Sequence, residues 1–300
     1  MTLDEENILT LIAPSHNPII DENIIFSLNK TLKVDVHETL CEKIAYDIFF
    51  YSEEPLMKIQ KKIECVLQGY EIDFFLQKTK NRKKTLLVCD MDSTIIEQET
   101  VDLIAQSLNL YDKIAPLTKD AMNGKIDFIE SFEKRIALLK NTSITVIHEI
   151  LKQKITATKG ARTLIKTMKK FGAHSALISS GFDFFVAPIA QQLGFDSWHA
   201  NHIPIENGKI SGTVKKPILD GKRKAIILLE LCQKYNTPIE KTLAVGDGAN
   251  DIPLLEKADI GVAYHAKDCL KKRCKFKIQH TDLTSLLYMQ GYKKQMFEEN

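Results

Sequence analysis

The chain has almost no excess of charge. Its 300 residues carry 41 Lys and Arg against 39 Asp and Glu, a formal +2. A balance that close gives no general attraction to DNA, RNA or an anionic membrane surface, so no nucleic-acid or membrane partner is expected. Long apolar runs are missing too: no uninterrupted stretch approaches the roughly 18 residues needed to span a bilayer. The six cysteines, Cys41, Cys65, Cys89, Cys232, Cys269 and Cys274, show no paired spacing. That argues against a zinc site or a disulfide framework. Cys89 lies in an apolar run and is expected to pack in a core as a small hydrophobe. The first six residues are acidic and lack the basic-then-apolar pattern of a secretory signal. With unpaired thiols, this points to the cytoplasm. Repeats and low-complexity segments are absent.

What is present is the composition of a globular protein, 44% hydrophobic and 27% charged. The length suits one large domain, or one medium and one small domain, with a real core. Two basic clusters, residues 78–84 and 271–277, read as a solvated linker and a surface turn. Residues 1–80 read as a unit of their own. A short apolar run at 8–13 precedes a helical pattern at 22–32, and two strand-like segments follow at 34–41 and 45–51. Residues 55–67 are amphipathic, with Leu56, Ile59, Ile63, Val66 and Leu67 at helical spacing and Pro55 suited to a first turn. Gly69 can end that helix, and 70–77 reads as a last strand. The order β-α-β-β-α-β predicts a ferredoxin-like α+β domain.

From Thr85 the texture changes. Apolar runs at 85–89, 174–178 and 242–245 have the look of strands buried on both faces of a parallel sheet. Helical patterns at 161–171 and 224–235 separate them, which predicts a doubly wound α/β domain over residues 84–300. A long helical insertion at about 98–158 reads as a small helical cap. Asn207-Gly208 is a two-residue hairpin signal.

Ligands of open α/β sheets lie beyond the carboxyl ends of the strands. Three segments stand there: Asp90-Met91-Asp92-Ser93-Thr94, Ser179-Ser180-Gly181, and Gly246-Asp247-Gly248-Ala249-Asn250-Asp251. Carboxylates, short hydroxyl side chains and glycines suit a hard cation and a phosphate better than a redox cofactor. A phosphate monoester repels nucleophiles, so its charge must be neutralised before attack. Mg²⁺ on Asp90, Asp247 and Asp251 would do this, and a carboxylate can then attack to form an aspartyl-phosphate. Asp92 is spaced to protonate the leaving oxygen and later to deprotonate water. Ser179 and free backbone N–H groups would hold the remaining phosphate oxygens. Lys224, opening the helix before the third strand, is the candidate balancing cation. Each segment alone has a plainer reading. Asp-x-Asp-Ser is common in loops, Ser-Ser-Gly in turns, and the third segment could be a calcium loop, though it lacks an EF-hand's closing glutamate. Their order after three buried strands carries the weight.

These segments resemble the haloacid dehalogenase superfamily and, within it, the phosphoserine phosphatase family, over about two-thirds of the chain from Thr85 onward. The resemblance implies Asp90 as nucleophile and metal ligand, Asp92 as general acid/base and, through its carbonyl, a further metal ligand. It implies Asp247 and Asp251 as metal ligands, Asn250 in placing the phosphate, and Lys224 as the phosphate-neutralising lysine. The family's Glu-x-x-Asp pattern is met by Glu99 and Asp102, followed at matching intervals by Met122, Phe128 and Arg135. Glu99 would pair with a substrate ammonium and Arg135 would grip its carboxylate, while Met122 and Phe128 would form an apolar lid. From spacing alone, Arg135 would equally suit an ion pair with Glu130 or Glu133 on its own helix. The implied reaction is Mg²⁺-dependent hydrolysis of phosphoserine, the last step of serine biosynthesis. One departure stands in the second motif, where Ser180 replaces the family's usual glycine. A serine serves there only if its φ is negative.

The N-terminal unit resembles ACT-type regulatory domains at the level of pattern. Such domains bind amino acids or dimerise, so the resemblance leaves room for serine feedback and a homodimer. Two other functions are consistent with the same residues. One is a related phosphatase, or a phosphotransferase passing the phosphoryl group to an alcohol such as homoserine. The other is a non-catalytic amino-acid sensor that keeps the fold.

Overall fold

A computed structural model describes residues 6–34, 36–122 and 126–299, without the side chains of Lys119, Ala121 and Met122. The N-terminal part is built from β1 (Asn7–Ile12), α1 (Glu22–Leu32), β2 (His37–Cys41), β3 (Ala45–Phe50), α2 (Leu56–Val66) and β4 (Asp73–Lys78). The four strands form an antiparallel sheet in the order β2-β3-β1-β4, the split βαβ arrangement expected from the pattern. Asp21 caps α1, accepting from the N–H groups of Asn23 and Ile24 at 3.0 Å each. Pro55 sits just outside α2 in an extended conformation.

Period-2 alternation explains how this sheet is used. Leu9, Leu11, Ile48, Phe50 and Leu76 pack under the two helices. Ile12, Ala45 and Phe75 point the other way and belong to the core of the second part of the chain. Both faces are therefore covered. Phe75 meets Phe276 with ring centroids 5.9 Å apart. Asp73, nearly sealed from solvent, accepts from the N–H groups of Gln279, His280 and Thr281 at 2.9, 3.1 and 3.0 Å and from the Thr281 hydroxyl at 2.7 Å.

In the basic segment 78–84, Lys78, Lys80 and Lys83 are exposed as its charge suggests, but Arg82 and Lys84 are not. Arg82 donates to Asp47 Oδ1 at 2.7 Å, to Thr10 Oγ1 at 2.9 Å and to the carbonyl of Met289 at 2.8 Å. Lys84 is 3% exposed and pairs with Asp259. Polar side chains can be buried here because each finds a partner from a distant segment.

The remaining elements are β5 (Leu86–Cys89), α3 (Thr100–Ser107), α4 (Tyr111–Met122), α5 (Phe128–Leu138), α6 (Ile144–Gln153), α7 (Ala161–Lys170), β6 (His174–Phe182), α8 (Asp183–Leu193), β7 (Ser197–Asn201), β8 (Ile205–Glu206), β9 (Lys209–Ile210), α9 (Gly221–Lys234), β10 (Thr242–Gly246), α10 (Ile252–Lys257), β11 (Ile260–Tyr264), α11 (Asp268–Lys271), β12 (Phe276–Ile278) and α12 (Ser285–Tyr288). Six strands form a parallel sheet in the order β12-β11-β10-β5-β6-β7. All four residues of β5 and all five of β10 are buried, as central parallel strands with covered faces require. Cys89 is among them. The sheet order reverses direction at β5 and β10, which places a crevice beyond their carboxyl ends. Helices α3 to α6 form the expected cap, entered and left through segments that meet at Ile96 and Ala157. Asn207 and Gly208 take φ of 50° and 73° in the hairpin between β8 and β9, whose strands are only two residues long.

Candidate active site

Asp90 follows β5 directly, and its N–H is held by the carbonyl of Val245 on β10 at 3.0 Å. Asp247 follows β10, and Asp251 lies one turn further on. Glycine is required at Gly246, the last residue of β10, because a Cβ there would sit 2.5 Å from the Asp251 carboxyl carbon. Each of Asp90, Asp247 and Asp251 offers a carboxylate oxygen within 4.8 Å of the others, and all three residues are buried.

Lys224 reaches this cluster from the first turn of α9. Asp220 caps that helix through the N–H of Arg223 at 2.8 Å. Gly221 lets the helix start abut Asn250, whose carbonyl oxygen would lie 2.4 Å from a Cβ. The Lys224 ammonium, fully buried, lies 2.5 Å from Asp90 Oδ1 and 2.7 Å from Asp251 Oδ1. Desolvation opposes its charge, but Asp251 and Asp90 outweigh it and hold the ammonium above its ordinary value. One lysine does not satisfy three carboxylates. Burial first, and Asp251 second, push Asp247 up to about 6. Burial and Asp251 likewise raise Asp90 against the pull of Lys224. A buried, oxygen-only donor set with unbalanced negative charge fits a hard metal ion.

Asp92 is not part of that triad. Its Oδ1 accepts the N–H of Thr100 at 2.7 Å, and its Oδ2 lies 3.4 Å from the Ser179 hydroxyl. The turn that carries it swings through Ser93 at φ 54° and closes where the N–H of Ile96 meets the carbonyl of Met91 at 3.0 Å. Burial first and Glu99 second push the Asp92 carboxyl up to about 7, with the Thr100 hydrogen bond opposing. An acid of that strength exchanges its proton near neutrality, as a group that both gives and takes a proton must.

The second motif lies within β6, not after it. The strand continues through Ser179, Ser180 and Gly181 to Phe182, with its register against β7 broken between Ile178 and Phe182. Ser179 Oγ accepts the N–H of Gly181 at 2.9 Å. Ser180 is absent from the residues with positive φ, so serine is tolerated there without backbone strain. Its buried hydroxyl has no hydrogen-bond partner among the described residues.

A cavity of about 380 Å³ joins these residues to the cap. Its lining includes Asp90, Asp92, Glu99, Phe128, Arg135, Ser179, Ser180, Asp247 and Asn250. Met122 ends α4, and its side chain falls outside the described residues. The alternative pairing of Arg135 on its helix is not observed: Glu130 pairs with Lys134 and Glu133 with Lys216. Arg135 instead lies over the Phe132 ring, 5.7 Å from its centroid, and faces the cavity. Glu99 accepts from Ser93 Oγ at 2.9 Å.

Sequence reasoning missed Phe132 and Lys267. Phe132 stacks on Phe128 at 5.8 Å and reads from its spacing as core. Lys267 lies 3.5 Å from both Glu99 and Asp247. It comes just past β11, a fourth buried strand whose end was available to the same inspection.

The class of protein follows from sheet, cap and carboxylates together. A model of the haloacid dehalogenase-like hydrolase family matches residues 87–256, more than half of the chain, and the chain belongs to this family. Among its relatives is the phosphoserine phosphatase of Saccharomyces cerevisiae, 34% identical over 272 residues, which cover 89% of this chain and 86% of the relative. The structure of a haloacid-dehalogenase-family hydrolase from Salmonella enterica serovar Typhi superposes with a TM-score of 0.86 at 27% identity, over 95% of this chain and 98% of that one. A substrate-bound phosphoserine phosphatase complex superposes at 0.64 with 38% identity, over 68% of this chain and 97% of that one.

Proposed function

We propose that the chain is a Mg²⁺-dependent phosphatase that hydrolyses O-phospho-L-serine to serine and phosphate, through a phosphoaspartate on Asp90. The observation that carries this reading is that Glu99 and Arg135 line the same cavity as Asp90 and Asp92. An amino-acid headgroup held between a carboxylate and a guanidinium thereby faces the nucleophile.

In the first step an Asp90 oxygen attacks phosphorus in line with the ester bond. The P–O bond to serine breaks, and Asp92 delivers its proton to the departing oxygen. In the second step Asp92 takes a proton from water, which attacks the phosphoaspartate and restores Asp90. Lys224 stays charged throughout and offsets the negative charge around Asp90. Asp90, Asp247 and Asp251, with the Asp92 carbonyl, would hold the Mg²⁺, which when bound neutralises phosphate charge. Ser179, Ser180 and Asn250 would hold the phosphate oxygens, while Phe128 would exclude water. On this reading residues 1–80 form an ACT-like domain, residues 84–300 the phosphatase domain with its cap at about 98–158, and the enzyme works in the cytoplasm on a small-molecule substrate. A homodimer joined through the N-terminal domain is part of the same proposal.

The test is phosphate release from L-phosphoserine, phosphothreonine, phosphoethanolamine and an aryl phosphate, each with Mg²⁺ and with EDTA. Metal-dependent preference for phosphoserine supports the whole reading. Metal-dependent activity without preference removes the role of Glu99 and Arg135.

A further inference from the structure

We infer that Lys267 is a specificity-determining residue of this site. It occupies the ammonium position on Glu99 in the free enzyme and passes its charge to the phosphate when a substrate bearing its own ammonium takes that position. The inference deepens the phosphoserine reading and rests on it.

The side chain is shared, not clamped. Its ammonium lies 3.5 Å from Glu99 Oε1 and 3.5 Å from Asp247 Oδ2. Both separations exceed the roughly 2.7–2.9 Å of a charge-assisted hydrogen bond. The base of the residue is fixed, by contrast. Its N–H donates to the carbonyl of Asp247 at 3.0 Å. Two residues earlier His265 holds a left-handed φ of 40°, and its Nε2 donates to the carbonyl of Thr281 at 2.8 Å. Thr281 is in turn gripped by Asp73 of β4. An anchored backbone carrying a flexible four-carbon stem lets the charge move while the loop stays in place.

Charge decides where it moves. Lys267 and the substrate ammonium cannot share Glu99 without repelling each other. With Asp247 engaged by a metal and Glu99 by the ammonium, Lys267 loses both partners at once. The anion left within the cavity is the phosphate. A monoester without an ammonium leaves Lys267 on Glu99, and its phosphate is short of one cation. Selectivity for an amino-acid phosphate then arises from this transfer of charge as well as from the contact with Glu99.

Inorganic phosphate and L-serine together fill the two halves of the site without turnover, so the thermal stabilisation of the full-length enzyme with Mg²⁺ by phosphate, measured with and without L-serine, isolates the transfer. In the unmodified enzyme L-serine should tighten phosphate about tenfold, and in Lys267→Met that tightening should vanish while phosphate alone binds nearly as before. Lys267→Arg should restore the tightening. Its absence in the unmodified enzyme, or its persistence in Lys267→Met, would overturn the inference. If Lys267→Met fails to fold, Lys267→Gln carries the same comparison. Absence of phosphoserine hydrolysis in the unmodified enzyme would instead sink the underlying function, so the two failures are distinguishable.

Discussion

The ammonium of Lys224 lies 2.5 Å from Oδ1 of Asp90, and both side chains are sealed from solvent. A buried lysine this close to a carboxylate is held charged by it, and the carboxylate in turn depends on the lysine. Removing either leaves a charge without compensation. In Lys224→Met, turnover of phosphoserine should fall by at least about a thousandfold and the metal-free protein should lose roughly 3 kcal/mol. Steady-state kinetics and urea denaturation measure the two effects. Unchanged turnover would remove Lys224 from the proposed chemistry.

Arg135 faces the cavity and makes no ion pair with Glu130 or Glu133. Arg135→Ala should therefore lower kcat/KM for phosphoserine about a hundredfold, the size of a charged hydrogen-bonded contact. An aryl phosphate, which has no carboxylate to grip, should change less than about threefold. Equal losses on both substrates would contradict the role.

The dependence on pH follows from Asp247. Its carboxyl is pushed up to about 6, from an ordinary 3.8, so its proton leaves only as the pH rises through that value. Metal ions bind the deprotonated carboxylate, so protons compete with them below about 6. The Mg²⁺ concentration for half-maximal activity should stay level above pH 7 and climb as the pH falls from 6 to 5. A flat profile across that window would show that Asp247 does not bind the ion.

Asp73 ties β4 to the segment after β12 by four hydrogen bonds. Asp73→Ala should cost about 3 kcal/mol, since three backbone N–H groups lose a charged acceptor in a buried seam. Chemical denaturation of the full chain reads this directly. A loss under 0.5 kcal/mol would mean that water replaces the carboxylate without penalty.

The motifs were legible in the sequence because β5 and β10 are buried on both faces, and their unbroken apolar runs mark the point where polar residues begin. Arg135 was less so. Its spacing allowed a surface ion pair, whereas its guanidinium lies over the ring of Phe132, one turn back on the same helix, and lines the cavity. Arg82 and Lys84 were misread as solvated because their partners, Met289 and Asp259, lie far along the chain. Local charge pattern carries no trace of such partners. Ser179 to Gly181 looked like a loop after a strand, yet β6 runs through it with a broken register that composition does not signal. Lys267 was missed because the end of β11 carries no recognisable motif, only a lysine that the fold brings between two carboxylates.

The most direct test of the central claim is phosphate release from O-phospho-L-serine by Asp90→Asn beside the unmodified enzyme, with saturating Mg²⁺ and folding verified by circular dichroism. The amide cannot attack phosphorus, so activity should fall by about ten-thousandfold or more. A folded variant that keeps even a few per cent of the rate would contradict a phosphoaspartate on Asp90.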